Sequence, residues 1–565
     1  MISPSPGIGK ALVAIFMATA LAAAFTGCAQ LPTNSKVLDG PSVQDGQNSD
    51  YLYYSPSGPV NGQTQVEVIN SFLNAATGPQ NDYQTARDFL APAFRAKWSP
   101  NDQVLIQQGS LTLTSLPNNT AAVSINVAAT VDADGHYQAN AQPVTRILDF
   151  KLVQVHGQWR ISEAPNAIVL IRPVFDVIFH SYSVYFFDHS YNYLVPDLRW
   201  FPSRASTATR LVTALLAGPS PWLAGAVETT MPLDTKLAID AVTVEKGTAQ
   251  VSLNAAALLA SQSSKQFFLA QLQSTLMQLP TVTKVQILID RTPQKISSYQ
   301  PASIGSSTFA PVALIGGNLE QMSSPSGSQL TGSRQAIALV GANEFALTAD
   351  EKTLALRSSR GIYRVRLGQL SPNPTLVDSR ADLLAPQFDR RGMLWSVTKA
   401  GSAAIQVLPS NGNALWLTVP WLKDYKIRDF SLSAEGARVA LLITNKKLGT
   451  RVVVASVIRD KTGMPIGLGL PHTESAGVGT PVSIEWSGET QILILVAQAS
   501  STSVSLCVVG GDSRNLGFVT NGAKIIASDS GSDIYVLSHD GVLLQYRGYT
   551  WSTLAQSVTA AHLPN

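Results

Sequence analysis

Hydrophobic positions change their rhythm repeatedly along this chain, and each change marks a different kind of element. Residues 11 to 27, "ALVAIFMATALAAAFTG", are uncharged and mostly apolar, with a single charge before them at Lys10. Residues 28 to 55 carry neither a helical nor a strand period and are rich in turn formers, which predicts a coil. The stretch "VEVINSFLNAA" then sets Val66, Ile69, Phe72 and Leu73 at helical spacing, and "YQTARDFLAPAFRAKW" follows as a second amphipathic stretch broken at Pro92. "AAVSINVAATVD" and "RILDFKLVQVHGQWRISEAPN" alternate apolar and polar residues as strands do, with His156-Gly157 placed for a tight turn. Residues 56–172 therefore read as one α+β unit in which helices precede a meander of strands.

The next unit, 173–300, mixes both periods. "YSVYFFDHSYNYLVPDLRWFP" predicts a strand, a turn over Asp188 to Asn192 and a second strand ending near Arg199. "STATRLVTALLAGPSPWL" predicts a helix that starts after Ser206, buries Leu211, Val212, Leu215 and Leu216, and stops at Gly218-Pro219. "AVTVEKGTAQVSL" reads as a hairpin turning at Lys246-Gly247. The helix "KQFFLAQLQSTLMQLP" follows, with Phe267, Phe268, Gln271, Leu272, Thr275, Leu276 and Leu279 on one stripe, and "VTKVQILID" closes the unit as a strand. Asp188 and Arg199, at strand ends, are expected in solvent. "SSYQPASIGSSTF" has the composition of a linker.

From 301 to 565 a short phrase repeats: strand, polar turn, apolar strand. "FALTADEKTLALRS", "PQFDRRGMLWSVT", "FSLSAEGARVALLIT", "IEWSGETQILILV" and "IIASDSGSDIYVLS" align at Leu347, Phe388, Leu432, Trp486 and Ile526, spaced 41, 44, 54 and 40 residues apart. A strand-only repeat of ~40 to 50 residues is the mark of a β-propeller blade. Five copies are legible, and "APVALIGGN" with the tail "WSTLAQSVTAAHLPN" offers material for a sixth. The expected domain is a five- or six-bladed β-propeller.

Composition narrows the function classes. Charged residues are 14% of the 565, below the ~25% of an average soluble protein, and the formal net charge is +3 with no long basic run. A nucleic-acid partner therefore has no electrostatic support. The opening apolar run suits the core of a signal peptide better than a membrane span. Its end, "FTGC", resembles the bacterial lipobox, with Phe25 where leucine is usual. Cleavage between Gly27 and Cys28 would leave Cys28 to carry diacylglycerol on its thiol; cutting after Ala22 to Ala24, with simple secretion, is the alternative. Residues 28–55 then become a flexible stalk with an r.m.s. span of ~30 Å and a stretched reach of ~95 Å. Cys507 remains as the other cysteine and, flanked by apolar residues, reads as core filler.

Candidate chemistry is sparse. The chain has no H-E-x-x-H, C-x-x-C, G-x-S-x-G or P-loop, and its seven histidines are scattered singly. Ser396-Val397-Thr398-Lys399 and Lys461-Thr462-Gly463 match two of the three boxes of penicillin-binding serine enzymes. That serine, however, sits in a strand-like run rather than opening a helix from which the lysine could take its proton. No catalytic residue, metal ligand or cofactor is expected.

Three resemblances organise these readings. Helices followed by a meander ending in "GQWRI" resemble a cystatin-like or ketosteroid-isomerase-like roll. The succession in 173–300, with Asp188, Leu194, Pro196, Arg199, Gly218 and Pro219 at its motif positions, resembles the GerMN domain; the resemblance implies an α+β interaction module of bacterial envelopes, with those residues structural. Signal peptide (1–27), stalk (28–55), roll (56–172), GerMN domain (173–300) and propeller (301–565) in that order resemble the LpqB-type lipoproteins of actinobacteria. What this family resemblance implies is a non-enzymatic protein, lipid-anchored on the outer face of the cytoplasmic membrane. It would bind the extracytoplasmic domain of an MtrB-type sensor histidine kinase and modulate its signalling. An envelope protein that binds a glycan or small ligand in its propeller or roll is the rival expectation, and it requires aromatic and carboxylate side chains converging in a cavity.

Overall fold

A computed structural model describes residues 56–203, 206–303, 310–322, 328–330, 332–368, 372–399 and 404–564. Gly27, Cys28 and the stalk lie outside the described residues.

The first domain begins with α1 (Gln65–Ala75), whose capping box, Thr64 with Glu67, satisfies two backbone donors at its start. Its buried face is Val68, Ile69, Phe72, Leu73 and Ala75, while Val66, expected inside, is 37% exposed. The helical period holds, with Ile69, Phe72 and Leu73 inside, and the valine buried at the first turn is Val68, two positions beyond Val66. The second amphipathic stretch forms two single turns, α2 (Gln84–Arg87) and α3 (Pro92–Arg95), because Pro92 can open a turn but cannot continue one. Strands β1 (Gln103–Gln107), β2 (Thr112–Leu116), β3 (Thr120–Asp132), β4 (Tyr137–Val155), β5 (Gln158–Glu163) and β6 (Ile168–Ile171) share one sheet in the order β5-β4-β3-β1-β6, with β2 also on β3. All neighbours are antiparallel except β1 and β6. His156 and Gly157 both take positive φ, 52° and 73°, the paired left-handed turn that matches strand twist. The β3 side chains alternate between core and solvent, and the inward set packs on α1 around Phe72, Trp98 and Phe150.

The second domain is built from α4 (Arg172–Ile178), β7 (Phe179–Asp188), β8 (Leu194–Pro202), α5 (Thr207–Ala217), β9 (Val227–Glu228), β10 (Thr243–Glu245), β11 (Thr248–Leu253), α6 (Gln262–Leu276), β12 (Lys284–Ile289) and β13 (Thr292–Pro293). Sheet β8-β7-β9 and sheet β10-β11-β12-β13 enclose a core with α5 and α6. Gly218 ends α5 at φ 98°, a conformation that side-chain-bearing residues rarely adopt. Leu211, Val212 and Leu215 are buried, and Leu216 is partly so. The described part of the expected linker, 297–303, is pinned to the second domain. The Tyr299 hydroxyl donates to the Tyr191 carbonyl at 2.8 Å, its ring packs on Phe187 and Phe267, and the Ala302 amide donates to the Asn192 carbonyl.

Beyond residue 311 the described residues form six small antiparallel sheets, five of four strands and one of five. The five aligned residues Leu347, Phe388, Leu432, Trp486 and Ile526 all fall on the first strand of a sheet: Glu344–Leu347, Gln387–Phe388, Lys426–Leu432, Thr480–Ser487 and Gly522–Ala527. The long spacing of 54 belongs to the sheet that holds the extra strand His472–Glu474 and the eleven-residue strand Gly449–Arg459. The remaining sheet joins distant parts of the chain, since Val312–Ile315 pairs with both Asn318–Gln321 and Val558–His562.

The described residues belong to one compact unit. Trp200 Nε1 donates to the Gly510 carbonyl at 3.0 Å, Arg172 pairs with Asp512 at 2.7 Å, the Tyr185 hydroxyl donates to Glu489 at 3.0 Å, and Trp222 stacks on His472. The second domain is thus stitched to the C-terminal one by side chains that no local pattern singles out.

Candidate functional site

The motif residues of the second domain form two buried nodes rather than a reactive cleft. Asp188, at the end of β7, accepts from the amides of Ser190, Asn192 and Tyr193 and from the Ser190 hydroxyl, so one carboxylate holds the whole β7–β8 turn. Arg199 donates to Asp197 at 2.7 Å and to the carbonyls of Asp134 and Gly218, while Asp197 accepts from the Ser220 amide and hydroxyl. Contrary to their expected place in solvent, Asp188 and Arg199 are only 6% and 2% exposed. Charges this buried persist only when paired, and their partners lie close in space. Pro196 is buried opposite Tyr185, Leu194 is half-buried opposite Phe187, and Pro219 follows the helix stop at Gly218.

Other groups singled out by sequence have similarly structural surroundings. Ser396 is buried on the strand Leu394–Val397 and donates its hydroxyl to Asp378 at 2.5 Å, whereas Lys399 is exposed. Cys507 is fully buried with its Sγ 3.7 Å from Glu474, and burial pushes the thiol well up and the Glu474 carboxyl to about 8. Both groups are therefore uncharged at neutral pH or nearly so.

Three surface features have the form of sites. A cleft of about 480 Å³ lies where the three domains meet, lined among others by Asp132, His136, Asp197, Trp222, Arg438 and His472. At its rim Asp132, Asp134 and His136 hold their donor atoms within 4.8 Å of one another, a spacing that could take a metal ion. Two of these groups are already engaged, since Asp132 accepts the Asp134 and His136 amides and the His136 ring at 2.8 Å. Burial would raise the Asp132 pKa, but the bonds from His136 outweigh it and hold the carboxyl below its usual range.

The second feature is a cavity of about 510 Å³ to which every one of the six sheets, or the segment leading into it, contributes. Its charged lining is Glu344, Arg357, Lys399, Arg428, Asp429 and Lys524. Burial works against the Lys524 ammonium, yet Glu344, Asp429 and Glu485 together hold its pKa above the usual lysine value. Burial likewise raises Asp429, and lifts the neighbouring Glu485 to about 8. Among the described residues the lining contains no Phe, Tyr or Trp, the faces on which a sugar ring would stack.

The third is an apolar tip on the second domain. A 3-10 turn, Ala255–Leu259, keeps Ala257 in the core and turns Leu258 and Leu259 outward. It is bonded to the loop before β10 through Asn254, whose amide donates to the Lys236 carbonyl and whose side chain donates to the Asp234 carbonyl. That loop presents Leu233, 93% exposed, and Leu259 is 83% exposed, with Leu258 and Ile239 each more than half exposed. Sequence reasoning passed over these leucines, because "AAALLA" has the composition of buried structure and nothing in it announces which residues face out.

Comparison with known proteins assigns the parts. Residues 58–176 match the family model described as "Lipoprotein LpqB, N-terminal domain", 183–295 that described as "Sporulation and spore germination" (Germane), and 316–565 that described as "Lipoprotein LpqB beta-propeller domain". The chain is 24% identical to a protein of Cutibacterium acnes named Lipoprotein LpqB, over 96% of this chain and 97% of that one. A protein of the same name from Thermobifida fusca is 23% identical, over 91% and 92%. Among solved structures, the first GerMN domain of the sporulation protein GerM from Bacillus subtilis aligns at 24% identity. It covers 22% of this chain and 94% of that one, with a TM-score of 0.18.

Proposed function

Because the chain belongs to the LpqB lipoproteins, whose N-terminal, Germane and propeller domains it carries in order, we propose that it works as an anchored protein-binding module that catalyses no reaction. In this reading the N-terminal sheet and helices form a cystatin-like or ketosteroid-isomerase-like roll, and the six small sheets are six propeller blades. Cys28 carries the lipid that holds the body on the outer face of the cytoplasmic membrane. The partner is the extracytoplasmic domain of an MtrB-type sensor histidine kinase, whose signalling it modulates.

The observation that carries the reading is the apolar tip. Solvent-facing leucines on a turn and the loop hydrogen-bonded to it are what a protein-docking surface presents, and burying each contributes ~1.5 to 3 kcal/mol. Tethering then confines both proteins to one surface and raises their effective concentration. Modulation requires that one kinase conformation be bound more tightly than the other, since equal affinity shifts nothing. A coupling of ~1 to 3 kcal/mol changes the signalling balance ~5- to 150-fold.

Two outcomes test this. Leu233→Ser combined with Leu259→Ser should cut crosslinking to the kinase in intact cells by about 100-fold or more, from the ~3 to 6 kcal/mol of transfer energy of two leucines. The melting temperature should not move, because neither side chain is in the core. Unchanged crosslinking would remove the tip as the contact; loss of membrane association instead would reassign it to lipid. Separately, Cys28→Ser should leave the precursor uncleaved or release the protein from membranes. Among the described residues no helix is long and apolar enough to cross a bilayer, and two acyl chains are what makes anchoring stable. A mutant that is processed normally and stays in the membrane fraction after a high-salt wash would exclude the thioether as the anchor.

A further inference from the structure

We propose that the cavity at the convergence of the six sheets is a binding site for a small polyanion, a molecule bearing several carboxylate or phosphate groups. Its size, about 510 Å³, is in the range of small-molecule sites. Four fixed cations line it, Arg357, Lys399, Arg428 and Lys524, against two carboxylates, Glu344 and Asp429.

The ions of this cavity are loosely paired. Several buried pairs elsewhere meet at hydrogen-bond distance, as in Arg199–Asp197, Arg380–Asp378 and Arg438–Glu435, each at 2.7 Å, while Arg459–Asp389 stands at 3.6 Å. In the cavity Lys524 Nζ stands 3.7 Å from Glu344 Oε2, and an Arg357 terminal nitrogen stands 4.0 Å from Glu344 Oε1. Both separations exceed the ~2.7 to 2.9 Å of a charge-assisted bond. Buried Glu344 Oε2 and Arg357 Nε accordingly have no hydrogen-bond partner. Asp429, by contrast, is committed to the wall, with one oxygen accepting from Ser483 and the Ile484 amide and the other from the Phe430 amide. Lys399 and Arg428 are exposed, and neither forms an ion pair among the described residues.

Arg357 gives one terminal nitrogen to the Leu383 carbonyl at 3.1 Å, but cations without a close counter-ion, set in a concave wall, focus their field into the cavity. An anion there gains the hydrogen bonds that Glu344 does not take. With no Phe, Tyr or Trp in the lining among the described residues, the recognition is of charge rather than of a ring. The site is independent of the kinase reading and stands on the opposite kind of chemistry from the apolar tip.

The test is calorimetric titration of the detergent-solubilised full chain with pyrophosphate and, in parallel, with citrate, at low and high salt. Saturable one-site binding of either is expected, weakening as salt rises. The arm that binds distinguishes a phosphate-bearing from a carboxylate-bearing ligand. Lys399→Ala with Arg428→Ala should weaken it about 10- to 100-fold, as expected for two lost charge-assisted contacts. The control pair Lys352→Ala with Lys461→Ala, outside the cavity lining, should leave it unchanged. Absence of binding by both probes at millimolar concentration, or equal weakening by the control pair, would overturn the proposal.

Discussion

Truncation after Gln556 is expected to unfold the C-terminal domain under conditions in which the intact chain is folded. The strand it removes, Val558–His562, pairs with Val312–Ile315 across the join between the two ends of this domain. Val558, Ala560, Ala561 and Leu563 are each at most 4% exposed; Val558, Ala561 and Leu563 pack with Ala313, Ile526, Tyr535 and Leu537, and Ala560 with Val312, Leu314 and Leu347. Losing the valine and leucine alone costs ~3 to 6 kcal/mol at ~1.5 to 3 each. The truncation also bares a sheet edge and the apolar residues behind it. Domains are stable by only ~5 to 15 kcal/mol, so the loss is decisive. Urea or thermal unfolding followed by circular dichroism is the measurement. A cooperative transition within a few degrees of the intact protein's would show that the closing strand is dispensable.

Arg438→Ala should destabilise the protein by about 3 to 5 kcal/mol. The Arg438 side chain is 1% exposed and donates to Glu435 and to the Glu489 carbonyl, each at 2.7 Å, with its guanidinium 4.7 Å from the centre of the Trp486 ring. Glu435 is wholly buried and takes its second bond from Ser433. Alanine would leave that carboxylate buried without its cation, and would forfeit the contact with the ring. The double variant Arg438→Met with Glu435→Leu should recover most of the loss, since an apolar pair leaves no charge stranded. A single-variant change below about 1 kcal/mol in urea titration would mean that water or another cation already reaches Glu435.

What could be read in advance follows from the range of each interaction. Strand alternation in β3, the His156-Gly157 turn and the repeat at Leu347, Phe388, Leu432, Trp486 and Ile526 are local patterns, written within a few residues of themselves. Val66 was misplaced because a helical stripe near a first turn leaves its edge undecided, and Val68 is the valine that the sheet covers. Asp188 and Arg199 looked like solvated strand ends because the partners of Asp188 are amides of the turn and those of Arg199 are Asp197 and the carbonyls of Asp134 and Gly218, none of which forms a recognisable motif. The charged cavity was invisible for a deeper reason. Glu344, Asp429 and Lys524 lie in three different repeats and meet only because the sheets converge.

The strand Val312–Ile315 must wait for about 240 further residues before its partner Val558–His562 exists. At ~5 to 20 residues per second of synthesis, that is roughly 10 to 50 seconds. During this interval Val312, Ala313 and Leu314, all buried in the finished protein, border an unpaired edge that any other strand could occupy. Contacts of such long sequence separation also form late, because the loop-closure entropy must be overcome before they contribute. The nascent chain is therefore most prone to aggregation while this edge is open, and a holdase that covers residues 312–315 until residue 562 emerges would act at the most vulnerable point of its folding.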